Sequence, residues 1–172
     1  MSLQPAIYCL DANVLIQAWQ KYYAPQICPS YWEVLDDLGR QGKVFLPYWV
    51  AEEINRGQDD LAKWLKKSQV LIRPVSELVT LKLKEIYAKD PQHHQLVDNT
   101  RQRSLADPWL IAHAMAESAC VVTKEEKPLA ANNRRIKIPN VCDAMGVRWI
   151  DDFEMVRELG ISFQCSLAGD GR

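Results

Sequence analysis

The sequence predicts an α/β domain, a mostly parallel β-sheet covered by helices on both faces. Three observations predict it. Short apolar runs of strand length alternate with longer amphipathic segments along the whole chain. The 172 residues are 48% apolar, enough to fill the core that a sheet buried on both faces requires. Two acids, Asp11 and Glu125, stand just after strand-like runs, at the edge where open α/β sheets bind their ligands.

Residues 6–10 read as the first strand and 13–21 as a helix, followed by a loop over 22–29 that holds two prolines. Ser30-Tyr31-Trp32-Glu33 has the Ser-x-x-Glu form of a capping box, which starts a helix that Gly42 stops. Residues 44–46 form strand two, ended by Pro47. A short helix over 48–55 closes near Gly57. A second, over 59–68, carries Leu61, Trp64 and Leu65 on one face. Residues 70–72 form strand three. The helix over 77–88 places Leu78, Leu81 and Ile86 on a stripe. Residues 90–105 are polar, with Pro91, His93, His94, Arg101 and Arg103. A helix over 107–118 leads into strand four at 119–123, and a basic loop fills 124–137. A short helix at 141–145, strand five at 147–150 and a last helix at 152–159 complete the chain, with residues 168–172 read as frayed. Helices between strands imply parallel pairing through right-handed crossovers. With no repeat, low-complexity segment or linker, residues 1–172 read as one domain with its core at 6–160.

The formal net charge is −1, which excludes a protein that coats nucleic acid through a global basic field. Cys9, Cys28, Cys120, Cys142 and Cys165 are odd in number and contain no Cys-x-x-Cys. They read as small hydrophobes in a reducing compartment. His93, His94 and His113 form no zinc-ligand ladder with them. No apolar run approaches the ~20 residues of a membrane span, and no signal-peptide pattern opens the chain. The expectation is a soluble cytoplasmic protein with no membrane partner.

Chemistry concentrates in Asp11, Glu53, Asp107 and Glu125, each bordering an apolar run. Carboxylates rarely border buried segments without a partner. If the four converge, protons or a cation must relieve their repulsion. A hard divalent cation held by oxygen ligands suits them, and its usual work is on phosphate esters. Each acid also has a plain structural reading. Asp11 suits a helix N-cap. Glu53 has Glu52 beside it, and only one of the two can face inward. Asp107-Pro108 is a standard helix opening, with Asp as the cap. Lys124-Glu125-Glu126-Lys127 suits a solvated turn. Trp109, Leu110, Ile111 and Met115 read as core.

Taken jointly and in order, the motifs resemble those of the PIN-domain nucleases. They are Leu10-Asp11-Ala12-Asn13-Val14-Leu15-Ile16, Val50-Ala51-Glu52-Glu53-Ile54, Ala106-Asp107-Pro108-Trp109-Leu110-Ile111-Ala112-His113-Ala114, and an acid after the strand ending in Thr123. The resemblance covers residues 6–152. It implies a three-layer α/β/α, PIN-like domain with a central mostly parallel sheet. It also implies an acidic pocket for Mg2+ or Mn2+ and metal-dependent hydrolysis of RNA phosphodiesters. Many small members of that family are toxins of bacterial toxin–antitoxin pairs, so the implied partners are RNA, an antitoxin protein and a second copy of the chain. Asp11, Glu53, Asp107 and Glu125 carry over as the metal-site acids, with Asn13 and Thr123 as polar support. Glu125 departs from the family's more frequent Asp in a Thr-x-Asp arrangement. Residues 22–29, 90–105 and the basic loop after Glu125 lie outside the family pattern.

Bare carboxylates repel a phosphate backbone, so basic residues are needed nearby. Arg101 and Arg103 before Asp107, and Lys124, Arg134, Arg135 and Lys137 around Glu125, are expected to guide single-stranded RNA across the pocket. Two rivals stand beside this reading. One keeps the fold as a catalytically weak RNA-binding or scaffold module. The other is an aspartyl-phosphate enzyme or receiver domain, which explains Thr123 but leaves Glu53 and Asp107 without a role.

Overall fold

A computed structural model of the protein describes residues 6–97, 105–128 and 136–167. Five strands form one sheet: β1 (Tyr8–Leu10), β2 (Val44–Pro47), β3 (Leu71–Arg73), β4 (Cys120–Val122) and β5 (Trp149–Ile150). Their order is β3-β2-β1-β4-β5 and every pairing is parallel. β1, β2 and β4 are buried at every position. Burial on both faces is why they read as continuous apolar runs instead of alternating ones.

Among the described residues, eight α-helices connect and cover the strands: α1 (Ala12–Gln20), α2 (Pro29–Arg40), α3 (Tyr48–Arg56), α4 (Asp60–Lys67), α5 (Glu77–Lys89), α6 (Asp107–Glu117), α7 (Ile138–Met145) and α8 (Asp152–Glu158). A 3-10 helix spans Pro91–Leu96. The arrangement is a three-layer α/β/α fold. α2 ends against the entry to β3, and Gly39 permits the contact. A Cβ there would lie 2.5 Å from the Gln69 carbonyl oxygen.

Several local expectations are corrected. The capping box at Ser30 does not form. α2 begins at Pro29, with Cys28 in the cap position two residues before Ser30. Proline's fixed φ suits the first helical position and draws the start forward, leaving Ser30 inside the helix. The α5 stripe keeps Ile86 but replaces Leu78 and Leu81 with Val79 and Leu83. Val79 and Ile86 are buried and Leu83 packs on the core, whereas Leu78 and Leu81 are about half exposed. Positions 79, 83 and 86 are spaced by four and three residues and share one face, whereas 81 and 86 are five apart and do not, and the former face packs against α6.

Two segments outside the family pattern have structural roles. In residues 22–29, Tyr23 stacks on Tyr31 and Phe163 at centroid distances of 4.3 and 5.1 Å, and its carbonyl accepts from Trp32 Nε1 at 2.7 Å. In the polar segment, Asp90 accepts from the Gln92 amide, buried His93 sets Nδ1 2.7 Å from the Ile86 carbonyl, and His94 stacks on Tyr87. Arg101, Arg103, Arg134, Arg135 and the tail at 168–172 lie outside the described residues. Cys9, Cys120 and Cys142 are buried, as expected of small hydrophobes. Among the described residues, no helix is long and apolar enough to cross a membrane.

Candidate active site at the carboxyl edge of the sheet

Asp11 directly follows β1 and occupies the N-cap position of α1, with extended backbone angles. Its amide donates to the Val122 carbonyl at 3.0 Å, which continues the β1–β4 ladder one residue past the strand end. The side chain makes no capping hydrogen bond. Instead Thr123 Oγ1 donates to Asp11 Oδ2 at 3.0 Å. The same hydroxyl accepts from the Glu125 amide at 3.1 Å, so its own proton is directed at the carboxylate. Asp11 and Thr123 are 3% and 1% exposed. A carboxylate held this deep is poorly solvated, and burial raises its pKa to about 7. The Thr123 hydrogen bond opposes that rise, Glu125 and Glu53 reinforce it, and the Asn13 backbone amide opposes it.

Each adjacent pair of glutamates is asymmetric. Of the pair Glu52 and Glu53, Glu53 is the one that acts on Asp11. It lies in α3, which starts at the carboxyl end of β2 and packs against α1 and α6. Of the pair Glu125 and Glu126, Glu126 is exposed while Glu125 is half-buried. Glu125 Oε2 accepts from the Ile138 amide at 2.8 Å, in the first turn of α7. A helix's first amides lack intrahelical partners and suit a carboxylate. The stretch 124–127 is therefore anchored on its Glu125 side and is more than a solvated turn.

Asp107 is placed by topology. α6 precedes β4 and must run antiparallel to it, so its N-terminus lies at the carboxyl edge. One turn into the helix, the Leu110 carbonyl accepts from the Cys9 thiol at 3.6 Å, beside β1. The N-cap of α6 is Ala106, in helical conformation, with Asp107 the first residue of the helix. The reading of Asp107 as the cap is thus corrected: Pro108 takes the second helical position and the cap moves to Ala106. Asn13 is exposed, so its support comes from the main chain. Trp109 is partly buried against the core.

Asp11 and Glu125 follow β1 and β4 at the strand exits, Glu53 lies in the helix that leaves β2, and Asp107 opens the helix that leads into β4. Among the described residues, no three His, Cys, Asp or Glu side chains form a closed metal cluster. Oxygen-only donors are the type a hard cation takes, and Asp11 is a buried carboxyl with Glu125 and Glu53 as charged neighbours.

Lys124 does not face open solvent. Its Nζ lies 2.7 Å from Asp152 Oδ1 and 4.3 Å from the centre of the Phe153 ring. Asp152 and Tyr22, which pair with each other at 2.8 Å, were not singled out in the sequence. An Asp-Asp pair at a helix start reads as capping, and only Asp151 caps α8. Also unforeseen is an edge-to-face pair, Tyr48 and Trp49, with centroids 5.1 Å apart. They are 40% and 38% exposed at the start of α3. Trp49 stands one helical turn before Glu53, on the same side of the helix.

A five-stranded parallel sheet in this order, flanked by helices, is a three-layer α/β/α fold of the PIN-like kind. The chain belongs to the family described as "Domain of unknown function (DUF4411)", which matches residues 8–163. No curated protein matches the sequence. Among solved structures, the chain is similar to VapBC2 from Rickettsia felis bound to a DNA fragment from its promoter. The two share 22% identity, with 84% of this chain and 98% of that chain covered at a TM-score of 0.53. It is also similar to VapBC-1 from nontypeable Haemophilus influenzae, at 15% identity, 84% and 97% coverage, and a TM-score of 0.53. Identities this low speak for the fold alone.

Proposed function

We propose that this protein is a metal-dependent endoribonuclease of the toxin type, neutralised in the cell by an antitoxin protein. The observation that carries the reading is the burial of Asp11 at a strand exit against Thr123, with Glu53 and Glu125 close enough to raise its pKa. Such a site stores repulsion that a divalent cation relieves. Asp11, Glu53, Asp107 and Glu125 would hold Mg2+ or Mn2+, which when bound would activate water and neutralise charge on a phosphodiester. The toxin role draws on the likeness to the VapBC complexes, which are toxin–antitoxin pairs.

The chain's own residues supply the arrangement. Thr123 holds Asp11 in one orientation and favours its charged form. The α7 N-terminus holds Glu125. With the acids fixed in advance, little reorganisation is left for the reacting state. Tyr48 and Trp49 offer ring faces to unpaired bases beside the pocket. The basic residues Arg101, Arg103, Arg134 and Arg135 would guide the backbone. The test is cleavage of a single-stranded RNA with Mn2+ or Mg2+, with and without chelator. Cleavage that needs the metal supports the reading, and metal-independent or absent cleavage contradicts it.

One observation favours a second reading, a catalytically silent RNA-binding or scaffold module. No three acids among the described residues close into a cluster. Mn2+ titration separates the two readings, because a working site raises the melting temperature through linkage and a silent one does not.

A further inference from the structure

Asp152 is 0% exposed. It is the first residue of α8, and the neighbouring Asp151 performs the capping by accepting from the Glu154 amide at 2.7 Å. Asp152 is thereby released to point inward, where it accepts from Tyr22 Oη at 2.8 Å and from Lys124 Nζ at 2.7 Å. The Lys124 side chain is only 15% exposed. Its ammonium also lies over the rings of Phe153, at 4.3 Å, and Tyr22, at 5.1 Å, where the ring faces attract a cation. Three connections of the fold meet here: the segment after α1, the exit of β4 and the passage from β5 to α8.

A buried ion pair is a poor stabiliser, since desolvation offsets most of its attraction. What this one fixes is geometry. Lys124 stands between Thr123, whose hydroxyl donates to Asp11, and Glu125, whose amide donates to that hydroxyl and whose carboxylate meets α7. Tethering its side chain on the far side of the turn restrains the backbone that carries those two residues. The same tether withdraws the ammonium from any phosphate passing over the pocket.

We propose that Lys124 is a positioning residue: clamped to buried Asp152 and Tyr22, it sets the Thr123–Glu125 turn that orients Asp11 and Glu125, and it makes no contact with RNA phosphate. The proposal rests on the nuclease reading above. It replaces, for Lys124, the expectation of an RNA-binding lysine.

The experiment compares Mn2+-dependent cleavage of a single-stranded RNA oligonucleotide by the wild type, Lys124→Met, Lys124→Arg and the double variant Lys124→Met/Asp152→Asn. The double variant removes both charges, so folding does not leave an unpaired buried carboxylate. It keeps an acceptor for Tyr22. Its kcat is expected to fall about 10- to 100-fold, the scale of a small misplacement of reacting groups. The Mn2+ concentration for half-activation should rise, while KM for RNA and its salt dependence stay at wild-type values. Lys124→Arg, which keeps a cation beside Asp152, should retain more activity than Lys124→Met. A folded double variant with wild-type kcat and Mn2+ dependence overturns the proposal, as does a raised KM with a shallower salt slope and unchanged kcat. A wild type that neither binds Mn2+ nor cleaves RNA overturns the nuclease reading, and the proposal with it. A wild type that cleaves beside an unaffected variant overturns the proposal alone.

Discussion

The Thr123 hydroxyl and the Asp11 carboxylate are joined by a buried hydrogen bond of 3.0 Å between the exits of β4 and β1. Its direction is set, because the hydroxyl already accepts from the Glu125 amide. Neighbouring parallel strands make the contact possible: Leu10 stands opposite Val122, so the next residue of each strand meets at the sheet edge.

Thr123→Val keeps the shape of the side chain and removes the donor. Asp11 then loses the largest influence holding its pKa down, and that pKa should rise further above about 7. The proton should then compete better with the metal, so the Mn2+ concentration for half-activation at pH 7 should rise. A denaturant titration at pH 8 should show a loss of about 1–3 kcal/mol, the cost of leaving a buried polar group without its partner.

Asp11 also makes the metal-free protein sensitive to pH. Its folded-state pKa is raised from 3.8 to about 7. Between those values the folded state binds more protons than the unfolded one, so stability falls as pH rises. The contribution is complete below pH 3.8 and gone once pH passes about 7, and its size is on the order of 4 kcal/mol. Asp11→Asn carries no such charge. Metal-free Asp11→Asn should therefore melt higher than the wild type at pH 8, with the gap closing toward pH 5. Melting curves across that range check it, and a wild type that gains stability from pH 5 to 8 relative to the variant contradicts it.

Trp49 tests the substrate face. Trp49→Ala should weaken binding of single-stranded RNA by about 5- to 150-fold, equivalent to ~1–3 kcal/mol of stacking. Trp49→Phe should recover most of it. The measurement is KM with a single-stranded oligonucleotide and with its duplex, which presents no free base faces and should respond little.

How much of this was readable in the chain depends on the range of the interaction. β1, β2 and β4 were legible because burial on both faces writes an uninterrupted apolar run. The positions of Asp11 and Glu125 at strand exits followed from those runs. Local signals that compete were not legible. Ser30 carried the right spacing for a cap, and Pro29 overrode it. Leu78 and Leu81 carried one helical spacing and Val79, Leu83 and Ile86 another, and only the packing of α5 on α6 distinguishes them. The Asp152 cluster was least legible. Its partners Lys124 and Tyr22 are 28 and 130 residues away in sequence, and no local pattern announces such a meeting. Lys124 read as a surface base because its charge is visible in the sequence and its burial is not.

The proposed function places Asp11 and Asp107 in one metal-dependent hydrolytic centre. Cleavage of a single-stranded RNA in Mn2+ by the wild type, Asp11→Asn and Asp107→Asn, each shown to be folded, tests it most directly. Metal-dependent cleavage is expected of the wild type, with a loss of about 100-fold or more in each variant. Folded variants that cleave as fast as the wild type would contradict it.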